Sequence, residues 1–146
     1  MTRGFAGRGW EASAPLIFEV VTGFFPEAKP KPTWATNPRP LLVCGVATDD
    51  STGEHFVRIA YGSKRMEPCG RYDIPLGNLA KLDALNLPHP TRFVLSAKDL
   101  VILPWTKQHF RPWTRFTTPR IGRFDEELRR EVQWAMAEQW DDVPQF

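Results

Sequence analysis

Apolar residues along this chain come in short runs rather than long periodic stretches. Residues 41–46, Leu-Leu-Val-Cys-Gly-Val, are almost continuously apolar, and residues 55–61, His-Phe-Val-Arg-Ile-Ala-Tyr, form a second run with a polar interruption. Runs of this length, bounded by Pro, Gly, Asp or Ser, predict β-strands at 16–25, 41–47, 55–61, 93–95 and 100–103. The seven residues between the second and third of these, Thr-Asp-Asp-Ser-Thr-Gly-Glu at 48–54, are turn formers ending near a glycine. They predict a hairpin loop.

Helical periodicity is confined to two places. Leu79, Leu82 and Leu85 recur within 76–85 and predict about two turns of helix ahead of Pro88. Residues 125–140 carry Leu128, Val132, Ala135, Met136 and Trp140 on one face, with Asp125, Glu126 and Glu127 placed to complement the dipole at the start. Fourteen prolines interrupt every other long window, because proline lacks the amide donor and clashes with the preceding helical turn. The expectation is a mainly β (α+β) chain: an SH3-like, partly open β-barrel with a short inserted helix and a C-terminal amphipathic helix. A single domain is expected over 1–146, with the barrel at about 16–105, a basic and aromatic connection at 105–123 and the helix at about 125–140. The proline-rich stretch 26–34 predicts an extended, mobile loop.

Composition changes this picture little, and the distribution of charge changes it more. A chain of 146 residues can bury a core without staples. Its two cysteines, Cys44 and Cys69, are too few for a disulfide scaffold, so a reduced, cytoplasmic protein is expected. No run approaches the roughly 20 apolar residues that span a bilayer, and no secretory leader is evident. The net charge of +2 is small. However, residues 105–123 hold five cations and no carboxylate, whereas 124–142 hold seven carboxylates against two arginines. The adjacent blocks are expected to serve different faces.

The candidate chemistry begins with Arg39-Pro40, directly before the run at 41–46, and with Gly62-Ser63-Lys64-Arg65, directly after the run at 55–61. If the runs pair as a hairpin, a fixed cation and a small hydroxyl reach the same side of a sheet, which suits a phosphate. This order, an Arg-Pro before an apolar strand, a polar hairpin loop, a second strand closing on a hydroxyl residue and a later strand at 99–105, resembles the PemK/MazF family of toxin endoribonucleases. The resemblance covers roughly residues 18–105. It implies cleavage of single-stranded RNA without metal or cofactor, with Arg39 and Ser63 as the catalytic pair and a cyclic phosphate and a free 5′-hydroxyl as products. It also implies a homodimer and an antitoxin partner. A guanidinium suits the Arg39 role because it stays charged and holds a phosphate bidentately while charge develops. The residues just before it, 33–38, contain no carboxylate, and the nearest upstream acid is Glu27, so the general base is unassigned.

Residues 105–116 interleave aromatics with cations, the combination that binds single-stranded nucleic acid by stacking bases and following the backbone. The expected RNA contacts are Lys64, Arg65, Trp34, Lys107, His109, Arg111, Trp113 and Arg115. His109 is weighed as a proton-transfer group against a structural role, while His55 and His89 suggest no site. The three widely spaced histidines predict no metal site. Two other classes compete with the nuclease: a non-catalytic nucleic-acid-binding module using residues 105–123, and a protein-interaction module using the SH3-like surface or the C-terminal helix, where Trp134 lies off the apolar stripe.

Overall fold

The computed structural model describes residues 13–26 and 37–146. The expected loop at 26–34 therefore lies almost wholly outside the described residues, and Trp34 and Glu27 with it.

Seven antiparallel strands form one curled, half-barrel sheet. They are β1 (Glu19–Gly23), β2 (Arg39–Thr48), β3 (His55–Ser63), β4 (Ile74–Leu76), β5 (Thr91–Phe93), β6 (Val101–Pro104) and β7 (Arg120–Arg123). Their order is β4-β5-β3-β2-β1-β7, with β6 on β3 beside the main path. The hairpin read from the sequence is present: β2 pairs with β3 from Thr48↔His55 to Leu41↔Tyr61, with a bulge between Val43 and Gly45. Its loop is closed by Asp49, whose carboxylate accepts from the Ser51 amide at 2.8 Å and hydroxyl at 2.7 Å. β3 then divides its pairing, giving Phe56 to Ile59 to β6 and Gly62 and Ser63 to β5. That division curls the sheet.

Both faces of the sheet are covered. Val20, Leu42, Cys44 and Ala60 point to one core, where Leu128, Val132, Ala135 and Met136 of the C-terminal helix pack. Val21, Leu41, Val43, Val57 and Ile59 point to the other, against Leu103, Trp105 and Phe110. Strand residues alternate faces, so a strand buried on both sides reads as a continuous apolar run. Each fully buried Val, Leu or Ile contributes about 1.5–3 kcal/mol, and this double burial is why β2 is the most strongly apolar stretch of the chain. Burial pushes the Cys44 thiol up to about 12.

The inserted helix, α1 (Leu79–Ala84), is shorter than expected and begins after Leu76, which belongs to β4. Asn78 stops the strand and caps the helix, its side chain accepting from the Lys81 amide at 3.2 Å. Leu82 and Leu85 are buried while Leu79 stays exposed, because a spacing of three drifts off one face of a 3.6-residue helix. The C-terminal helix, α2 (Glu126–Glu138), is capped by Asp125, which accepts from the Leu128 amide at 2.9 Å. Trp140 falls beyond it in a 3-10 turn and is half exposed rather than part of the buried stripe. There it joins Phe146 around the buried Arg58, whose guanidinium donates to the carbonyls of Pro144 and Cys44.

Strand limits differ from expectation for local reasons. β1 starts at Glu19, not residue 16, because Phe18 sits at φ 73°, outside strand geometry. The expected strand at 93–95 is found at Thr91–Phe93, and that at 100–103 at Val101–Pro104. β4 and β7 were not expected, being three and four residues long with little apolar signal. β7 lies inside the basic connection. Its first residue, Arg120, makes a two-point ion pair with the buried Glu19 at 3.0 and 2.6 Å.

Candidate functional site

Arg39 opens β2 at the point where the strand leaves β3 and pairs with β1 through Gly23↔Arg39. The β2–β3 register, continued two residues past Leu41↔Tyr61, sets Arg39 across from Ser63. Opposed residues of an antiparallel pair share a face. The guanidinium carbon of Arg39 lies 5.7 Å from the ring centroid of Tyr61, which in turn packs 4.9 Å from Phe25. An aromatic floor thus supports the cation.

The end of β3 is held from the other side. Ser63 pairs with Arg92 of β5, and its hydroxyl accepts from the Arg65 amide at 3.1 Å. Arg92 then bonds the Arg65 carbonyl at 2.7 Å and the Asp73 carboxylate at 2.6 Å. The turn after the strand is therefore fixed. Gly62 lets these pieces meet: a Cβ there would lie 2.8 Å from Thr91 and 2.9 Å from the Pro40 carbonyl. Any larger residue would force β5 and the Arg-Pro segment apart.

The basic connection supplies the remaining wall. Phe110 bridges to Gly23, the Arg111 amide donates to the Thr22 carbonyl at 3.1 Å, and the Thr22 hydroxyl donates to the Arg111 carbonyl at 2.7 Å. Trp113 Nε1 donates to the Pro38 carbonyl at 2.8 Å. These bonds pin residues 110–115 beside the start of β2.

The result is a cavity of about 880 Å³. Arg39, Ser63, Lys64, Arg111, Trp113 and Arg115 all line it, together with Asn37, Pro38, Pro40, Gly62, Pro88, His89, Thr91, Pro112 and Thr114. Four cations face this space, and no carboxylate is among its described lining residues. Arg111 rests on Phe24 at 4.9 Å and Arg115 on Phe116 at 5.3 Å. Among the described residues no three His, Cys, Asp or Glu side chains are grouped to hold a metal ion.

Three of the expected RNA contacts fall elsewhere. Arg65 does not line the cavity; its backbone is engaged by Ser63 and Arg92. Lys107 and His109 also lie outside the lining. His109 sits in a turn whose carbonyl accepts from Phe24, and burial lowers its pKa, favouring the neutral ring. The stretch 105–116 is therefore not one continuous platform. Trp105 and Phe110 pack 4.5 Å apart in the second core, and only residues 111–115 face the cavity. In the other direction, His89 and Thr91 join the lining although nothing in the local pattern assigns them a role. What carries them there is the pairing of β5 with β3 at only two positions, Gly62↔Phe93 and Ser63↔Arg92, too short to read from apolar pattern.

No family model matches the sequence, and no curated protein is significantly similar to it. The geometry itself offers a guanidinium on an aromatic floor, a hydroxyl on the same face and three further cations. Groups of this kind are chemically suited to an anion such as a phosphate.

Proposed function

We propose that this chain is a PemK/MazF-like endoribonuclease that cleaves single-stranded RNA without a metal, acting as the toxin of a toxin-antitoxin pair. The observation that carries the reading is the shared cavity of Arg39 and Ser63, opposed across the β2–β3 register and surrounded by Lys64, Arg111 and Arg115. In this reading Arg39 stabilises charge on the scissile phosphate as the 2′-hydroxyl attacks, and Ser63 helps fix the same phosphate. Lys64, Arg111 and Arg115 hold flanking phosphates, and Trp113 offers a face to a base. A homodimer and a protein antitoxin belong to the same reading and rest on the resemblance, whereas a cytoplasmic location rests on the sparse cysteines and the lack of a long apolar run. Among the described residues no helix is long and apolar enough to cross a membrane.

The test is incubation of purified protein with single-stranded RNA in excess EDTA. Fragments with cyclic-phosphate and 5′-hydroxyl ends support the reading, and intact RNA at stoichiometric protein overturns it. RNA that is bound with a steep salt dependence yet never cut would instead identify a non-catalytic binding module.

A further inference from the structure

Transesterification at an RNA phosphate needs a group that takes the proton of the attacking 2′-hydroxyl, and neither partner of the Arg39 and Ser63 pair suits that task. A guanidinium stays protonated, and a serine hydroxyl is a weak base at neutral pH. The other described lining groups are ammonium, guanidinium, amide, hydroxyl, indole and proline, with one exception. That exception is His89. We infer that His89 is the general base of the cavity, a step that rests on the nuclease reading above and deepens it.

The placement is built rather than incidental. His89 stands between Pro88 and Pro90, whose rings fix the backbone on either side. On one flank Leu87 is buried, its amide donating to the Leu82 carbonyl at 2.9 Å. On the other, Thr91 is buried and its hydroxyl donates to the His89 carbonyl at 2.9 Å. Thr91 in turn packs at Gly62, against which the Pro40 carbonyl also closes. One contact chain therefore runs from the Arg-Pro segment through Gly62 and Thr91 to the backbone of His89, whose side chain lines the cavity. The charged groups that share the cavity with it are Arg39, Lys64, Arg111 and Arg115.

The step balances within the substrate. Neutral His89 accepts the 2′-hydroxyl proton, the 2′-oxygen forms a bond to phosphorus, and the bond from phosphorus to the 5′-oxygen breaks. The 5′-oxygen takes a proton from solvent, and the imidazolium returns one to solvent. No oxidation or co-reactant is involved.

The experiment is single-turnover cleavage of RNA as a function of pH by wild type and His89→Gln, alongside binding of the same RNA with 2′-O-methyl groups, which cannot be cut. Wild type should show a rate that rises with pH to a plateau as the base loses its proton. His89→Gln should lose about 100-fold or more and lose the rising limb, while binding the uncleavable RNA within twofold of wild type. A His89→Gln rate within threefold of wild type, or a loss matched by weaker binding, overturns the inference while leaving the nuclease reading standing. Absence of cleavage by wild type defeats that reading itself. A substrate with sulfur at the 5′-leaving position adds a second check: its better leaving group rescues loss of a general acid, so full rescue of His89→Gln would overturn the base role.

Discussion

The indole Nε1 of Trp113 donates to the carbonyl of Pro38 at 2.8 Å, joining the basic connection to the residue just before the Arg-Pro pair. Seventy-five positions separate them. This bond makes one site of two segments that lie far apart in the chain, since Arg111 and Arg115 line the same cavity as Ser63 and Lys64.

Trp113→Phe keeps the ring and removes the donor. Net loss of one such bond should cost about 1 kcal/mol of stability, with a further cost if the Pro38 carbonyl is left dry. Chemical denaturation reads the stability. RNA affinity should fall by more than the stability change explains, because residues 112–115 lose the tether to Pro38 while Arg111 keeps its bonds to Thr22.

Gly62→Ala should be among the more damaging small substitutions in the chain. The new methyl would meet Thr91 and the Pro40 carbonyl under 3.0 Å, and overpacking of this kind costs about 1–3 kcal/mol. Thermal unfolding checks the stability. Cleavage should fall further than stability does, because the same contact sets Arg39 and His89 in place.

The four cavity cations make a prediction about salt. For single-stranded RNA each phosphate contact contributes a slope of about −0.7 in log affinity against log salt concentration. Arg115→Ala and Lys64→Ala should each flatten the slope by about that amount. Lys107→Ala, outside the cavity, should leave it unchanged. Fluorescence anisotropy at several salt concentrations separates these outcomes.

The two cysteines should differ in reactivity. Cys44 is buried in the first core and its thiol is pushed up to about 12, whereas Cys69 is exposed. The thiolate is the reactive form, so a thiol-directed label should modify one site in the native protein. The second should react only after unfolding, as mass spectrometry of labelled peptides would show.

Acid should loosen the C-terminal helix early. Asp125 is held below the usual carboxylate range, first by the Leu128 amide it caps and then by Lys81. A lowered folded pKa means stability that is fully present above the ordinary aspartate value of about 3.9 and is lost as pH falls through the lowered one. Asp125→Ala should remove that acid dependence and cost about 1 kcal/mol at neutral pH, as loss of an N-cap does. Circular dichroism during acid titration reports both effects.

The parts of the fold that were legible are those buried on two faces or along one helical stripe. β2 and β3 announce themselves because Leu41, Leu42, Val43, Val57, Ile59 and Ala60 are all fully buried, and α2 because Leu128, Val132, Ala135 and Met136 repeat on one side. β7 was hidden because only Ile121 of Arg-Ile-Gly-Arg is buried, and its place at the sheet edge depends on pairing with β1. The site divides in the same way. Arg39 and Ser63 follow from a local hairpin, so their opposition could be read in advance. His89 follows from the β3–β5 pairing and the Gly62 contact, which have no local signature. His109 lies outside the cavity lining, since an aromatic and basic stretch says nothing about which of its residues face a given side.

The central claim is that Arg39 acts on a phosphodiester in this cavity. Single-turnover cleavage of single-stranded RNA in EDTA by wild type and Arg39→Ala tests it most directly. Wild type should cut, and folded Arg39→Ala should be slower by about 100-fold to 1,000-fold, the loss typical of removing one group that stabilises transition-state charge. A folded Arg39→Ala protein that cleaves at the wild-type rate would contradict the account.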